Sequence, residues 1–211
     1  MYEPREDSYL LLDAVKRFAH GRVLDMGTGS GILAAAACGL PEVTSVTAAD
    51  IDPDCVRAVQ KNHPQIAVLQ SDLFSSLAGT FDMSEIALRT PALFQHGASK
   101  RFPSMLKNTP PSLGCGVFDT IIFNPPYLPQ DHELTDASIY GGTRGHELIE
   151  RFLKDAGHFL APKGVILLLF SSLTGKRQVE RAISEAGFTG KQVMSQKLHF
   201  EELYVYTIIT A

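Results

Sequence analysis

Three glycines, Gly27, Gly29 and Gly31, stand close together in the segment DMGTGSG (25–31). An apolar stretch of strand-like character (22–26) precedes them, and an alanine-rich stretch of helical character (32–40) follows. Glycine lets the backbone turn sharply and approach a ligand closely, because it has no Cβ atom. A strand that enters a helix through such a loop is typical of α/β folds with a parallel sheet.

Apolar patterns along the whole chain alternate between helix-like and strand-like stretches. They predict helices at 8–20, 32–40, 53–63, 148–160 and 178–186. They predict strands at 22–26, 43–49, 66–69, 118–123, 165–170, 191–196 and 203–210. Strand–helix–strand units predict right-handed crossovers, whereas the last two strands are too close in sequence for a crossover helix. We therefore predict an α/β, Rossmann-like domain with a mainly parallel seven-stranded sheet, an antiparallel last strand and helices on both faces.

Size, composition and charge indicate a single globular domain and argue against several other classes of protein. A chain of 211 residues with 45% hydrophobic residues fits one domain, residues 1–211. A formal net charge of −4 argues against a protein that coats nucleic acid through bulk charge. The longest apolar run (165–170) is too short to span a membrane, and the charged N-terminus is unlike a secretory signal. Since Cys38, Cys55 and Cys115 form no C-x-x-C, we expect a cytoplasmic protein without a disulfide or zinc framework.

Three aspartates, Asp25, Asp50 and Asp72, lie at the ends of the first three predicted strands. Parallel strands present their carboxyl ends at one edge of a sheet, so these side chains should share a cleft. Asp25 suits a ligand with an ammonium group, Asp50 the hydroxyls of a ribose, and Asp72 the exocyclic amine of an adenine. Each aspartate alone could equally be a turn residue whose side chain hydrogen-bonds the nearby backbone. The spacing G-x-G-x-G differs from the dinucleotide fingerprint G-x-G-x-x-G, which weakens a nicotinamide or flavin interpretation.

The sequence Asn124-Pro125-Pro126-Tyr127 follows the predicted strand at 118–123. Two prolines offer no N–H donor, so they end the strand and leave the carbonyl oxygens of Asn124 and Pro125 free to accept. The asparagine side-chain oxygen, a backbone oxygen and the tyrosine ring form a slot for a flat group that carries NH₂. The alternative is a rigid turn that only ends the strand.

Together, the glycine loop and residues 124–127 resemble the class I S-adenosylmethionine-dependent methyltransferases that act on amide or amino nitrogens. The opening YEPREDS (2–8) is similar to that of the archaeal and eukaryotic release-factor glutamine methyltransferases, which lack the N-terminal helical domain of the bacterial enzymes. The segments GGTRG (141–145), RFL (151–153) and FEEL (200–203) match the same family. The resemblance covers the chain except an atypical insertion at about 77–114.

This resemblance implies S-adenosyl-L-methionine as cofactor and a class I release factor as substrate, methylated on the glutamine of its Gly-Gly-Gln motif. It implies cofactor contacts from Ser8, Asp25, Gly27, Gly29, Asp50, Asp72 and Asn124. It implies catalytic and substrate contacts from Asn124, Pro125 and Tyr127. The family opening also contains four residues that could shape a lid: Tyr2, Pro4, Glu6 and Asp7. No metal is expected, and His132 and His146 are interpreted as a loop and a helix-start residue.

The insertion has a charge pattern of its own. Between 86 and 113 every charged residue is basic: Arg89, Lys100, Arg101 and Lys107. Such a segment could dock a release factor or ribosomal RNA, or could be a solvated loop. Eukaryotic relatives use a small zinc-binding activator subunit beside the third strand, so the resemblance also implies a possible partner of that kind.

Three other functions stay open from the sequence. An adenine or guanine amino-methyltransferase on DNA or RNA would share the slot at 124–127, because an exocyclic amine is also flat. The net charge and the lack of a target-recognition domain argue against that interpretation. A protein lysine methyltransferase and a scaffold that binds the cofactor without catalysis are the remaining alternatives.

Overall fold

The computed structural model describes residues 3–77, 118–128 and 142–211. In these ranges the helices are α1 (Glu6–Phe18), α2 (Ile32–Cys38), α3 (Pro53–Asn62), α4 (Glu147–Ala156) and α5 (Lys176–Glu185), with a 3₁₀ turn at Ser172–Thr174. The strands are β1 (Gly21–Met26), β2 (Val43–Asp50), β3 (Ala67–Gln70), β4 (Phe118–Phe123), β5 (Leu160–Ser171), β6 (Phe188–Lys197) and β7 (Glu202–Thr210). No helix of this described part is long and apolar enough to cross a membrane.

The strands form one sheet in the order β3-β2-β1-β4-β5-β7-β6. Neighbours from β3 to β5 are parallel, and β7 runs antiparallel to both β5 and β6. The predicted mainly parallel, seven-stranded sheet with an antiparallel last strand is therefore confirmed. From β1 the next strands, β2 and β3, are added on one side of the sheet, whereas from β4 the following strands are added on the opposite side. The carboxyl ends of β1 and β4 thus form the crevice where open α/β sheets bind ligands.

Both faces of the sheet are covered by helices, as predicted, because strand side chains alternate between the faces. On one face Phe123 stacks on Phe152 of α4, with 4.3 Å between the ring centroids. On the other face Ile122 belongs to a buried cluster with Leu11 and Val15 of α1. The end of β4 is thereby held between two packed layers, which fixes where the chain emerges at residue 124.

The largest difference from the predicted helix boundaries is at the end of α4. The apolar pattern predicts a helix from 148 to 160, but α4 ends at Ala156 and Leu160 begins β5. The Phe159 carbonyl accepts a hydrogen bond from the Phe118 amide, and Leu160 pairs with Phe118 in the sheet. The spacing of Leu160 fits the apolar face of α4, but its pairing with β4 makes it the first residue of β5.

Candidate functional site

A cavity of about 960 Å³ lies at the carboxyl ends of β1, β2 and β4. The sequence-predicted site residues that line it are Ser8, Gly27, Gly29, Asp50, Asp72, Asn124, Pro125 and Tyr127. The remaining candidate, Asp25, is 1% exposed and lies beneath the glycine loop. A cavity of this size is typical of sites for small molecules and cofactors. The structure thus gathers residues from 8 to 127 around one space.

The glycine loop is held against the end of β2. The Thr28 amide donates to the Ala49 carbonyl at 3.0 Å, and the Gly29 amide donates to Asp50 Oδ2 at 2.8 Å. Gly27, Gly29 and Gly31 all have positive φ angles, of 65°, 53° and 82°. These angles lie in the left-handed region that other L-residues rarely adopt. The loop therefore needs glycine at these positions to pass over β2 and enter α2.

We expect Gly31→Ala to destabilise the protein more than Gly187→Ala does. The two glycines have almost the same φ, 82° and 81°, so both variants carry a left-handed strain of about 1–2 kcal/mol. A Cβ at residue 31 would lie 2.9 Å from Cγ2 of the fully buried Val59, whereas one at residue 187 meets nothing within 4 Å. Overpacking should add about 1–3 kcal/mol at residue 31, measured by urea unfolding. Equal losses would contradict this assignment, and Gly31→Ala with Val59→Ala should be less than additive.

Asp25 braces the loop from below. Its Oδ2 accepts hydrogen bonds from Thr28 Oγ1 at 2.7 Å and from the Ala34 amide at 3.0 Å, and its Oδ1 has no partner within the described ranges. Burial raises the pKa of this carboxyl to about 7, with a smaller contribution from the charge of Asp50. The predicted contact of Asp25 with a cofactor remains a prediction, since the structure shows a side chain that holds the loop.

The stability contribution of Asp25 should depend on pH. Its pKa of about 7 lies above the ordinary value of 3.8, so the folded state binds more protons between these pH values. Its contribution to stability therefore falls as the pH rises from about 4 to about 7. Asp25→Asn cannot ionise, so its stability relative to the parent should rise between pH 5 and pH 8, by on the order of a few kcal/mol. Urea unfolding at each pH measures the difference in stability between parent and variant, and Asp13→Asn, at an exposed position, is the control. If the stabilities of the parent and of Asp25→Asn change with pH in the same way, the prediction is wrong.

Asp50 and Asp72 occupy the predicted strand ends but differ in their surroundings. Asp50 is 8% exposed, and besides Gly29 it accepts from the Asp52 amide at 2.9 Å through Oδ1. Each carboxylate oxygen retains a further lone pair, so Asp50 can also accept from hydroxyl groups. Asp72 is exposed and pairs with the guanidinium of Arg151 on α4 at 2.9 Å. That ion pair steers the Asp72 side chain between β3 and α4.

The end of β4 leads into residues 124–127, which line the cavity and are predicted to form the slot. Asn124 Nδ2 donates to Asp7 Oδ2 at 3.0 Å, while Asn124 Oδ1 is buried and has no hydrogen-bond partner in the described residues. Buried carbonyl oxygens without a partner are rare in native proteins, and each one asks for an explanation. The carbonyl of Tyr127 accepts from Thr174 Oγ1 at 2.9 Å, which ties the end of the slot to the turn after β5.

The turn between β6 and β7, together with the start of β7, supplies a further wall of the cavity. Leu198, Glu201 and Leu203 line it, and Glu201 accepts a hydrogen bond from Ser171 at the end of β5. The Glu202 amide donates to Ser172 Oγ at 3.0 Å. The segment that resembles the family at 200–203 is thus held against the turn that also anchors Tyr127.

Sequence reasoning missed two contacts among the residues that line the cavity, those of Asp7 with Asn124 and of Arg151 with Asp72. Both residues stand in segments that match the family, but no spacing rule links them to partners 117 and 79 positions away. His146 precedes α4, as predicted for a helix-start residue. Tyr2, His132 and the basic residues at 86–113 lie outside the described residues.

The charges of the cavity bear on its ligand. Seven carboxylates line its described part, those of Glu6, Asp7, Asp50, Asp52, Asp72, Glu147 and Glu201, against two guanidinium groups, those of Arg5 and Arg151. Such an acidic wall favours a cationic ligand and disfavours a phosphorylated one. A nucleoside sulfonium with an amino group fits this charge, and its ribose finds an acceptor in Asp50. The residues present therefore fit a methyl donor of the S-adenosylmethionine type.

This chain is similar to several known methyltransferases. The profile of the ribosomal protein L11 methyltransferase family (PrmA) matches residues 8–79. A relative in Methanocaldococcus jannaschii, provisionally named a protein N5-glutamine methyltransferase, is 29% identical over 97% of this chain and 89% of its own. The release factor glutamine methyltransferase of Deinococcus radiodurans is 24% identical over 76% of this chain and 49% of its own.

A solved structure shares the fold along the whole chain. The Mtq2–Trm112 complex of E. cuniculi, described as responsible for methylation of the eRF1 translation termination factor, matches with a TM-score of 0.68 and 22% identity. The match covers 100% of this chain and 98% of the other. The two chains therefore share the same overall fold.

Proposed function

We propose that this chain, which is similar to the protein N5-glutamine methyltransferases, is a class I methyltransferase that methylates the glutamine side chain in the Gly-Gly-Gln motif of a class I translation release factor. The proposed donor is S-adenosyl-L-methionine, and the proposed place of action is the cytoplasm. The observation that carries the proposal is the unpartnered, buried Oδ1 of Asn124 on a cavity wall. A primary amide supplies the N–H donor that this oxygen lacks.

The slot at 124–127 suits a planar acceptor. Asn124 Oδ1 and the Pro125 carbonyl offer two acceptors next to each other in the chain, and a primary amide has two N–H bonds in one plane. Two hydrogen bonds of this kind leave the nitrogen no freedom to turn within the plane. We assign the ring of Tyr127 to the face of the bound amide.

Methylation of an amide depends more on aligning the nitrogen with the methyl group than on activating the nitrogen with a base. When bound, the donor would supply an electrophilic methyl group on a sulfonium sulfur, and the sulfur would leave as a neutral thioether as the S–CH₃ bond breaks. An amide nitrogen is a weak nucleophile because its lone pair is delocalised, so orientation by the slot matters, and orientation can supply about 7–11 kcal/mol. As the N–CH₃ bond forms and positive charge grows on nitrogen, its hydrogen bonds to Asn124 and Pro125 strengthen. The nitrogen then gives its extra proton to water, so no strong base is needed.

The charge of the cavity favours a protein acceptor over a nucleic acid. Its carboxylates outnumber its guanidinium groups by seven to two in the described residues. A phosphate backbone would be repelled by such a wall, whereas a neutral amide would not. A lysine side chain fits the charge as well, so the experiment below includes one.

The edge of the sheet at β3 is the proposed position of a small partner subunit. Within the described residues β3 pairs with β2 alone, so its other edge offers unpaired backbone groups. The E. cuniculi relative forms a complex with Trm112. We propose a partner of the same kind here, with zinc binding as the property to test in that partner.

The test uses the purified chain, labelled S-adenosyl-L-methionine and the class I release factor of the same cell. Parallel reactions contain the factor with alanine in place of the Gly-Gly-Gln glutamine, the factor with lysine there, and total RNA. Each reaction is run with and without the candidate partner subunit. We expect label on the parent factor and none on the alanine factor or the RNA.

Three results would overturn the proposal. Label on the alanine factor would place the acceptor elsewhere in the protein. Label on RNA alone would assign the enzyme to nucleic acid despite its acidic cavity. Faster labelling of the lysine factor than of the parent would assign the slot to amines instead of amides.

A further inference from the structure

Asp7 lies in the first turn of α1 and reaches the end of β4, 117 positions later in the chain. It is 4% exposed, so both of its oxygens lie in a buried environment. Oδ2 accepts from Asn124 Nδ2 at 3.0 Å, and Oδ1 accepts from the Ser8 amide at 2.7 Å and from Ser8 Oγ at 3.3 Å. The two oxygens therefore serve different partners.

We propose that Asp7 is a positioning residue for the reaction, because it fixes which way the Asn124 amide faces; the inference rests on the proposed function of the slot. A carboxylate can only accept hydrogen bonds, whereas a carboxamide carries a donor on one side and an acceptor on the other. The NH₂ group of Asn124 must face Asp7, since the reversed amide would set two oxygens against each other. The carbonyl oxygen of Asn124 is thereby left for the substrate.

The cost of this arrangement is visible in the free protein. Asn124 Oδ1 is buried without a partner, a state that costs about 1–3 kcal/mol. Asp7 prevents the amide from relieving that cost by turning over. The oxygen is held ready as an acceptor before the substrate arrives, which is the kind of preorganisation that speeds a reaction.

Asp7 also acts on the strength of the acceptor. The negative charge of the Asp7 carboxylate polarises the Asn124 amide that donates to it. This polarisation increases the electron density on Asn124 Oδ1, as happens along chains of hydrogen bonds. The Asn124 oxygen then binds a nitrogen more tightly as that nitrogen becomes positive. The effect is larger in the transition state than in the ground state, so it should change kcat more than KM.

Replacement of Asp7 by asparagine gives a sharp test. In Asp7→Asn the new side chain can still accept from Ser8 through Oδ1, but it presents NH₂ where Oδ2 stood. Two NH₂ groups would then face each other, so Asn124 turns over and its oxygen is lost to the substrate. Asp7→Ala removes the constraint without forcing the wrong orientation. We therefore expect the isosteric Asp7→Asn to be the slower enzyme, with kcat lowered about 100-fold, against about 10-fold for Asp7→Ala.

The measurements are kcat and KM for the release factor, the Kd of S-adenosyl-L-methionine, and hydrogen exchange of the Asn124 side-chain NH₂ by NMR. Asp13→Asn on the exposed side of α1 is the matched control, because Asp13 contacts only Lys16 among its described ion pairs. The Asn124 NH₂ should exchange slowly in the parent and in Asp13→Asn, and at least tenfold faster in Asp7→Asn. Its resonance is identified by its loss in Asn124→Ala.

Each outcome decides the inference. An Asp7→Asn enzyme faster than Asp7→Ala, or unchanged NH₂ exchange, would show that Asp7 serves structure alone. If the parent does not methylate the release factor, the proposed function fails, and the exchange experiment still decides whether Asp7 orients Asn124. If Asp7→Ala does not fold, the comparison of Asp7→Asn with the parent gives the same decision.

Discussion

Asn124→Ala should lower kcat for the release factor by about a hundredfold or more and leave the Kd of S-adenosyl-L-methionine nearly unchanged. The variant loses the acceptor that strengthens as charge grows on nitrogen, and a single such contact is worth 10²–10³ in rate. Asn124 Oδ1 has no partner in the described part of the free protein, but the same change also removes the Nδ2 group that donates to Asp7 Oδ2, so urea unfolding should accompany the kinetics. Single-turnover kinetics and calorimetry separate the two effects.

Asn62→Ala is the matched control, since Asn62 is exposed at the end of α3. It should turn over like the parent. Near-normal turnover of Asn124→Ala would remove the slot from the mechanism. A rise in KM with kcat unchanged would make Asn124 a binding residue without a role in the transition state.

Asp50→Ala should act on cofactor binding, with about a hundredfold weaker Kd. Hydrogen bonds to a charged group contribute about 1.5–3 kcal/mol each, and a carboxylate at this position could accept two from a ribose. The same change leaves the amides of Gly29 and Asp52 without their acceptor, so the loop should also lose order. Calorimetric titration with S-adenosyl-L-methionine measures the affinity, and urea unfolding measures an expected loss of about 1–3 kcal/mol.

Asp54→Ala is the control for this variant, because Asp54 is exposed and its side chain pairs with Arg57 on the helix surface. It should bind the cofactor like the parent. An Asp50→Ala protein with parental affinity would show that the ribose lies elsewhere. Lower stability with unchanged affinity would assign Asp50 to the loop alone.

The parts of the fold that depend on local patterns were predictable. The glycine loop, Pro53 at the start of α3 and the prolines at 125 and 126 mark element boundaries through backbone sterics, and the structure has those boundaries where the sequence suggests. The directions of the strands, parallel up to β5 and antiparallel for β7, followed from the crossovers and from the short link before β7. Leu160 was the main exception to these boundaries. Its spacing fits the apolar face of α4, but it is the first residue of β5 and pairs with Phe118.

The parts that depend on distant contacts were not predictable. Asp7 and Arg151 stand among charged residues on amphipathic helices, and nothing in the sequence distinguishes the buried acid from its exposed neighbour Glu6. Asp25 lies at a strand end, which suggested a cavity wall, and its contact with a cofactor stays a prediction. The packing of α2 on β1 instead places it under the loop, next to Ala34.

The antiparallel course of β7 has a consequence for how the enzyme is made. Because β7 reverses direction beside β5, its first residues return to the ligand edge of the sheet, where Glu201 and Leu203 meet a site begun by Asp7. A nascent chain therefore cannot complete its cavity on the ribosome until nearly the whole of this sequence has left the exit tunnel. Translation that stops before Leu203 should yield an inert product, so the methyltransferase cannot begin work as a fragment.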